Sequence, residues 1–208
     1  VAEKYCGGLN IETKDEDGNV TKNINLSRPW KRAPYKELIK DVAGQDWFEF
    51  TSDQRREKCA ELGVEISEQM EDYEVTQQVF EKLVEEKTFD PLYVTHVPKE
   101  LVPLAKQNID DDSLVDVYEL IINGQEISPG YSELNDPDIQ RQRLMDQAGE
   151  ETQKVDEEFL TALEHGMPPA GGIGIGIDRL VIMLTSAESI RDVVLFPQLK
   201  KSGDEENS

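Results

Sequence analysis

The stretch that decides the fold is VYELIINGQEISPGYSELND, residues 117–136. Two runs with alternating apolar residues meet at Asn123-Gly124, and Asn-Gly in this setting is the strongest short-range signal for a two-residue β-hairpin turn. This turn pairs Ile122 with Gln125 and Ile121 with Glu126. Together with the helical patterns on either side, the hairpin predicts an α+β fold in which helices flank an antiparallel β-sheet.

Two glutamates of this hairpin are candidates for a metal site. The register puts Glu119 and Glu126 on one face of the sheet, roughly 7–8 Å apart as a diagonal pair. Like charges on one face repel each other unless a cation or solvent relieves them. Mg²⁺ is commonly held by one or two carboxylates together with waters and phosphate oxygens. The pair therefore predicts Mg²⁺ bound with a nucleotide, and the alternative is that both glutamates simply face solvent.

A third glutamate follows on the second strand. Glu133 is seven residues after Glu126, so an unbroken strand would put the two side chains on opposite faces. The Pro129-Gly130 step is where we expect a β-bulge, which would turn Glu133 back to the face of Glu126.

The segment GGIGIGIDRL, residues 171–180, is also rich in glycine. Its spacing fits neither the Gly-x-Gly-x-x-Gly dinucleotide fingerprint nor a P-loop. Alternation instead predicts a strand with isoleucines on one face and a bare face formed by Gly172, Gly174 and Gly176. That face offers a flat floor, and Arg179 beyond it can stack on a base or pair with phosphate. The alternative is that the glycines only allow a helix to pack closely.

Composition limits the possible partners. The 208 residues are 37% hydrophobic, which is enough for one domain with a core. They carry 44 acidic against 22 basic residues, a net charge of −22 that argues against broad contact of this chain with nucleic acid or an anionic membrane. Cys6 and Cys59, with His96 and His165, fit neither a disulfide framework nor a zinc site. The absence of a disulfide framework predicts a reducing cytoplasm, and no apolar run is long enough to span a membrane. The initial Val1 suggests a fragment or a processed product.

The organisation along the chain follows from the periodicity of apolar residues. We expect one domain over 1–200, with a hairpin at 8–26, a helical region over 27–90, a sheet that carries the site over 91–198 and a disordered tail at 201–208. Predicted helices cover 35–42, 52–62, 76–86, 136–147, 154–165 and 178–186.

Three segments carry a resemblance to a known family. YELIINGQEISPGYSELNDP, LTALEHGMPPAGGIGIGIDRL and SIRDVVLFPQ closely resemble the catalytic domain of bacterial-type class II lysyl-tRNA synthetases. The resemblance covers about 26–198 and is strongest from Pro91 onward. GIGIDR and the helix after it resemble the third signature motif of class II synthetases. The fold implied is a partial class II catalytic domain that begins after the second motif.

The resemblance also implies a reaction and a set of site residues. ATP and lysine would give lysyl-adenylate, and lysine would then pass to tRNA(Lys), in a cytoplasmic homodimer. By position, Glu119 and Glu126 match the pair that holds Mg²⁺ with ATP, and Glu133, with Glu126 beside it, matches the site for the substrate lysine. Arg179 matches the arginine at ATP, above a floor that includes Gly174 and Gly176, so that Arg179 and Glu119 are the expected catalytic residues. Without the second motif, these 208 residues alone are not expected to form lysyl-adenylate at an appreciable rate.

Two departures from the family pattern leave alternatives open. Pro129 stands where the family usually has asparagine, and Val102 stands where it has serine before Pro-Leu-Ala. The first alternative is a non-catalytic interaction module, which only Pro129 and the acidic net charge favour. A paralogue that lysylates a translation factor is a second alternative, which GGIGIGIDR disfavours. Aspartyl and asparaginyl enzymes share the fold, but Glu133 suits a cationic substrate better.

Overall fold

The computed structural model describes residues 1–148 and 155–197. Its strands form a two-stranded hairpin, β1-β2, and a five-stranded sheet in the order β3-β4-β5-β6-β7. The β3–β4 pair is parallel, whereas the other neighbours in the sheet are antiparallel. The strands are β1 (Asn10–Lys14), β2 (Val20–Asn25), β3 (Lys31–Pro34), β4 (Leu92–Pro98), β5 (Leu114–Ile122), β6 (Gln125–Ser132) and β7 (Gly171–Ile173).

The helices lie before β1 and in the segments that follow β3, β6 and β7. The α-helices are α1 (Ala2–Tyr5), α2 (Tyr35–Ala43), α3 (Ser52–Leu62), α4 (Asp72–Phe80), α5 (Pro137–Ala148), α6 (Glu157–Glu164) and α7 (Ile177–Thr185). A π-helical turn, Glu81–Glu85, continues α4, and short 3₁₀ turns cover Trp47–Glu49 and Ile190–Asp192. None of the helices in the described ranges combines the length and apolarity that crossing a bilayer needs.

Strand β5 separates two hydrophobic cores because its side chains alternate between the faces of the sheet. Val115, Val117 and Ile121 pack against α2, α4 and the π-helical turn. Leu120 and Ile122 pack on the other face, against the β1-β2 hairpin and α7. The prediction of a sheet flanked by helices is therefore confirmed, and the face of β5 that carries Glu119 is the one covered by α2 and α4.

The predicted hairpin register is confirmed at its turn. Ile122 pairs with Gln125 and Ile121 with Glu126. Asn123 and Gly124 have φ angles of 61° and 75°, the two positive values of a type I′ turn.

The β-bulge occurs in this hairpin, but the predicted position was wrong. Leu120 pairs with Ser128 while Ile121 pairs with Glu126, so Ile127 is the extra residue, two positions before Pro129. Ile127 is buried with Leu120 in the second core, and Ser128 is buried too. Packing of Ile127 therefore fixes the bulge, rather than the weak intrinsic preference of a Pro-Gly step.

The helix predictions are close in position, with differences at the ends. The predicted helix 76–86 begins four residues earlier, at Asp72, and its second half is the π-helical turn. The predicted helix 136–147 corresponds to α5 (Pro137–Ala148). The first residue of the predicted helix 154–165 and the predicted tail at 201–208 lie outside the described residues.

The glycine strand is shorter than predicted. Strand β7 ends at Ile173 and α7 begins at Ile177. The amides of Gly174 and Gly176 still donate to the β6 carbonyls of Pro129 and Ile127, at 2.8 and 2.9 Å. The chain thus stays beside β6, but the regular ladder ends because Pro129 has no N–H to donate to Gly174, whose carbonyl accepts from the Ser128 hydroxyl instead.

Candidate active site

Glu119 lies in the middle of β5, directly opposite Pro129 of β6. Its side chain is partly buried on the face covered by the helices. The pKa of its carboxyl group is raised from the ordinary 4.5 to about 7, first by burial and then by the negative charges of Glu126 and Glu85. Burial and the neighbouring charges therefore favour the protonated form of this carboxyl group, and a cation beside it would favour the ionised form.

Glu126 directly precedes the bulge in β6, and hydrogen bonds to its main-chain N–H and C=O groups hold it in place. Its N–H donates to the Glu85 carboxylate at 2.8 Å. Its carbonyl accepts a hydrogen bond of 2.6 Å from Nη1 of Arg179. Glu126 faces the same side as Glu119, because its partner Ile121 is two residues from Glu119 on β5. Both members of the predicted metal pair are therefore on one face.

Arg179 is exposed in the first turn of α7. Its side chain passes beside Gly176, where an added Cβ would lie 3.5 Å from Cδ of the arginine. An added Cβ at Gly174 would lie 3.4 Å from the ring of Pro129. Gly176 therefore faces the side chain of Arg179, and Gly174 faces the ring of Pro129.

Glu133 follows β6, and its N–H donates to the carbonyl of Ala170 at 2.9 Å. Its carboxylate lies over Gly172, in the space that a Cβ there would occupy. Because the extra residue is Ile127, Pro129, Tyr131 and Glu133 share the face of Glu119. Glu133 therefore lies on the face that was predicted for it, although the bulge is at Ile127 and not at the Pro129-Gly130 step.

The predicted site residues form two groups on this face. Glu119, Glu126 and Arg179 lie at the hairpin end of β6. Glu133 lies four residues beyond Pro129, roughly 13 Å along the strand. A ligand that contacts both groups must therefore be extended along β6.

The donor set near the hairpin fits Mg²⁺ shared with a nucleotide. Across residues 1–148 and 155–197, no group of three or more His, Cys, Asp or Glu side chains is arranged to hold a metal ion. The ion pairs formed by the described residues include neither Glu119 nor Glu126. Two carboxylates without cationic partners suit an ion that keeps waters and takes phosphate oxygens for its other ligands.

Two residues near Glu119 were not predicted from the sequence. Glu85 falls within the predicted helix 76–86, but nothing in the sequence indicated that it accepts from the Glu126 amide, or that burial raises its own pKa. Tyr35 is buried, stacks on Phe80 at 4.7 Å and donates to Gln77 at 3.1 Å. Burial and then the charge of Glu119 raise the pKa of Tyr35, so it stays a neutral donor. Neither residue has a local sequence signal, because both depend on how α4 and its π-helical turn pack.

A wide cleft of about 940 Å³ lies on the opposite face of the sheet. Its walls include Tyr118, Leu120 and Ile175, and the exposed Ile173 belongs to the same surface. None of the three glutamates lines this cleft, so it is separate from the site described above.

Comparison with known proteins gives a family model and several curated relatives, all of them tRNA synthetases of class II or lysine–tRNA ligases. The family model described as "tRNA synthetases class II (D, K and N)" matches residues 9–200, which extends the likeness beyond the predicted 26–198 to include the β1-β2 hairpin. A lysine–tRNA ligase of Carboxydothermus hydrogenoformans is 44% identical over 96% of this chain and 41% of its own length. The lysine–tRNA ligase of Bacillus subtilis is 41% identical over 97% of this chain and 40% of its own length. The chain thus spans about two fifths of the length of these relatives.

Proposed function

Because the chain belongs to the class II tRNA synthetases (D, K and N), we propose that it carries the lysine-activating site of a lysine–tRNA ligase. The relatives at 41–44% identity bear that name. The observation that carries the proposal is the shared face, since the bulge at Ile127 aligns Glu133 with Glu119 and Glu126.

The first reaction is the activation of lysine by ATP. A lysine carboxylate oxygen attacks the α-phosphorus, the bond from that phosphorus to the bridging oxygen of the β-phosphate breaks, and pyrophosphate leaves. The nucleophile is already ionised, so this step needs no general base. Catalysis rests on in-line positioning and on neutralising charge at the phosphates. The lysyl group then passes to a ribose hydroxyl of tRNA, which releases AMP.

In this proposal Glu119 and Glu126 would hold Mg²⁺ together with the ATP phosphates. When bound, the ion would withdraw charge from the phosphate oxygens. Arg179 would contact ATP through the part of its guanidinium that does not bond the Glu126 carbonyl. Gly174 and Gly176 would allow the nucleotide to approach the main chain, because neither has a side chain to exclude it.

Glu133 would recognise the ammonium group of the substrate lysine. Its carboxylate has no ion-pair partner within the part of the chain that the structure describes. A carboxylate prefers a cation to the carboxylate of aspartate or the amide of asparagine, the two other substrates of the family group. The cytoplasmic location and the homodimer stay predictions of the family resemblance.

The test is amino-acid-dependent ATP–pyrophosphate exchange by the natural full-length polypeptide. Lysine should support exchange and aspartate and asparagine should not, and tRNA(Lys) should then be lysylated. Glu133→Gln should raise KM for lysine, whereas the exposed Glu158→Gln should not. Exchange with lysine but transfer only to a protein acceptor would favour the translation-factor paralogue. Absence of exchange with all three amino acids would overturn the proposal in favour of a non-catalytic module.

A further inference from the structure

The main-chain groups of Glu126 need partners outside the β5-β6 ladder. In a hairpin with a two-residue turn, the pair next to the turn exchanges hydrogen bonds, and the following pair does not. Ile122 and Gln125 are the first pair, and Ile121 and Glu126 are the second. The N–H and C=O of Glu126 therefore point away from β5.

Two side chains from distant parts of the sequence bond these groups. The N–H of Glu126 donates to Oε1 of Glu85 at 2.8 Å, and its carbonyl accepts from Arg179 at 2.6 Å. Bonds on both sides of one α-carbon restrict φ and ψ of that residue. They therefore restrict the direction in which the Glu126 side chain leaves the strand, immediately before the bulge.

Glu85 is delivered by the π-helical turn that continues α4. Such turns occur often at functional sites. The next segment is joined to the same hairpin, since the amides of Gly124 and Asn123 donate to the carbonyls of Thr88 and Phe89 at 2.7 and 3.0 Å. Residues 85–89 thus support the hairpin at the turn and at Glu126.

A glutamate is a costly choice for this support. Its charge lies near those of Glu119 and Glu126, which repel it. A neutral oxygen acceptor at this position would satisfy the Glu126 amide without that repulsion, so the function of Glu85 as an acceptor can be separated from its charge.

We propose that Glu85 is a positioning residue, which orients the Glu126 carboxylate by accepting the hydrogen bond from the Glu126 main-chain amide. The inference rests on the proposed function for its kinetic consequence. Residues that hydrogen-bond to a metal ligand typically contribute about 10- to 100-fold to metal affinity or activity.

The experiment compares three variants in the natural full-length polypeptide. Glu85→Ala removes the acceptor, Glu85→Gln keeps an oxygen acceptor without the charge, and Glu86→Gln makes the same charge change at an exposed neighbour that pairs with Lys82. In lysine-dependent exchange, Glu85→Ala should raise the Mg²⁺ concentration for half-maximal rate about 10-fold or more. Glu85→Gln should restore most of the loss, and Glu86→Gln should match the wild type.

A second measurement does not depend on activity. In the ligand-free protein, amide hydrogen exchange at Glu126 should be faster in Glu85→Ala than in Glu85→Gln or Glu86→Gln. Equal exchange at Glu126 in all variants, or a Glu85→Gln variant as impaired as Glu85→Ala, would overturn the inference. An inactive wild type with the expected hydrogen exchange would instead reject the proposed function and leave the positioning contact in place.

Discussion

The Glu133 carboxylate occupies the space above the α-carbon of Gly172, where any other residue would have its Cβ. A methyl group at this position meets only the end of a flexible side chain, so the fold can accept it by moving the carboxylate. Gly172→Ala should therefore leave the melting temperature nearly unchanged but raise KM for lysine about 10- to 100-fold, since a small misplacement at a site has effects of this size.

The neighbouring glycine provides the control for this prediction. A Cβ at Gly171 would meet only the carbonyl oxygen of Tyr131, at an ordinary 3.8 Å. Gly171→Ala should leave KM for lysine unchanged. Steady-state kinetics with lysine varied at saturating ATP would measure both variants, and equal KM values would show that Glu133 does not bind the substrate ammonium.

Glu119 should make the stability of the protein depend on pH. Its pKa is about 7 in the folded protein against an ordinary 4.5, so folding favours the protonated form. This contribution is present in full below about pH 4.5 and is lost as the pH rises to 7 and above. Glu119→Gln should thus raise the free energy of unfolding at pH 8 by up to about 3 kcal/mol, with a much smaller gain at pH 5.

Urea unfolding without metal at both pH values would measure this effect. Glu57→Gln, at an exposed position of α3, is the control and should change stability equally at pH 5 and pH 8. A gain for Glu119→Gln that is the same at both values would contradict the raised pKa of Glu119.

The sequence was sufficient for the hairpin because local chemistry fixes it. Asn123-Gly124 can adopt two positive φ angles at little cost, and this turn sets every pair up to Ile121 and Glu126. The bulge could not be located in the same way. The position of the bulge depends on the burial of Ile127 against Leu120. Alternation of apolar and polar residues along β6 does not reveal which of its residues is the extra one.

The same limit explains why Glu85 was missed. A helical pattern with acidic residues indicates a solvated face, and a π-helical turn that redirects one of them leaves no mark in the spacing. The glycine segment shows the intermediate case. Alternation predicted a strand at Gly172, as observed, but the regular strand ends at Ile173 because Pro129 of the partner strand has no N–H to continue the ladder.

Arg179 should be more than a positive charge at the nucleotide. Its planar guanidinium can bond the Glu126 carbonyl and still present other N–H groups to ATP, whereas lysine has a single ammonium group. Arg179→Lys should lower kcat/KM for ATP about 100-fold, the usual size of losing one fixed donor. Arg191→Lys, at an exposed position after α7, should have no effect in the same ATP titration. A fully active Arg179→Lys variant would show that charge alone is sufficient.

Gly124 joins the hairpin to the segment after the π-helical turn. A side chain at Gly124 would have two effects, backbone strain and a contact with the Glu86 carbonyl, and comparison with Gly18 separates them. The φ of Gly124 is +75°, and an added Cβ would lie 3.1 Å from the carbonyl oxygen of Glu86. Gly18 has a φ of +84° in the β1-β2 turn, but an added Cβ there meets nothing within 4 Å. Strain at positive φ should destabilise both alanine variants by about 1–2 kcal/mol.

Only Gly124→Ala should also push residues 85–89 away from β6. We expect it to lose more stability than Gly18→Ala in urea unfolding, and to speed amide exchange at Glu126 as Glu85→Ala does. This second effect follows because the Glu86 carbonyl can retreat only if the adjoining main chain moves, and Glu85 moves with it. Equal losses of stability with unchanged exchange at Glu126 would show that the hairpin and the π-helical turn are positioned independently.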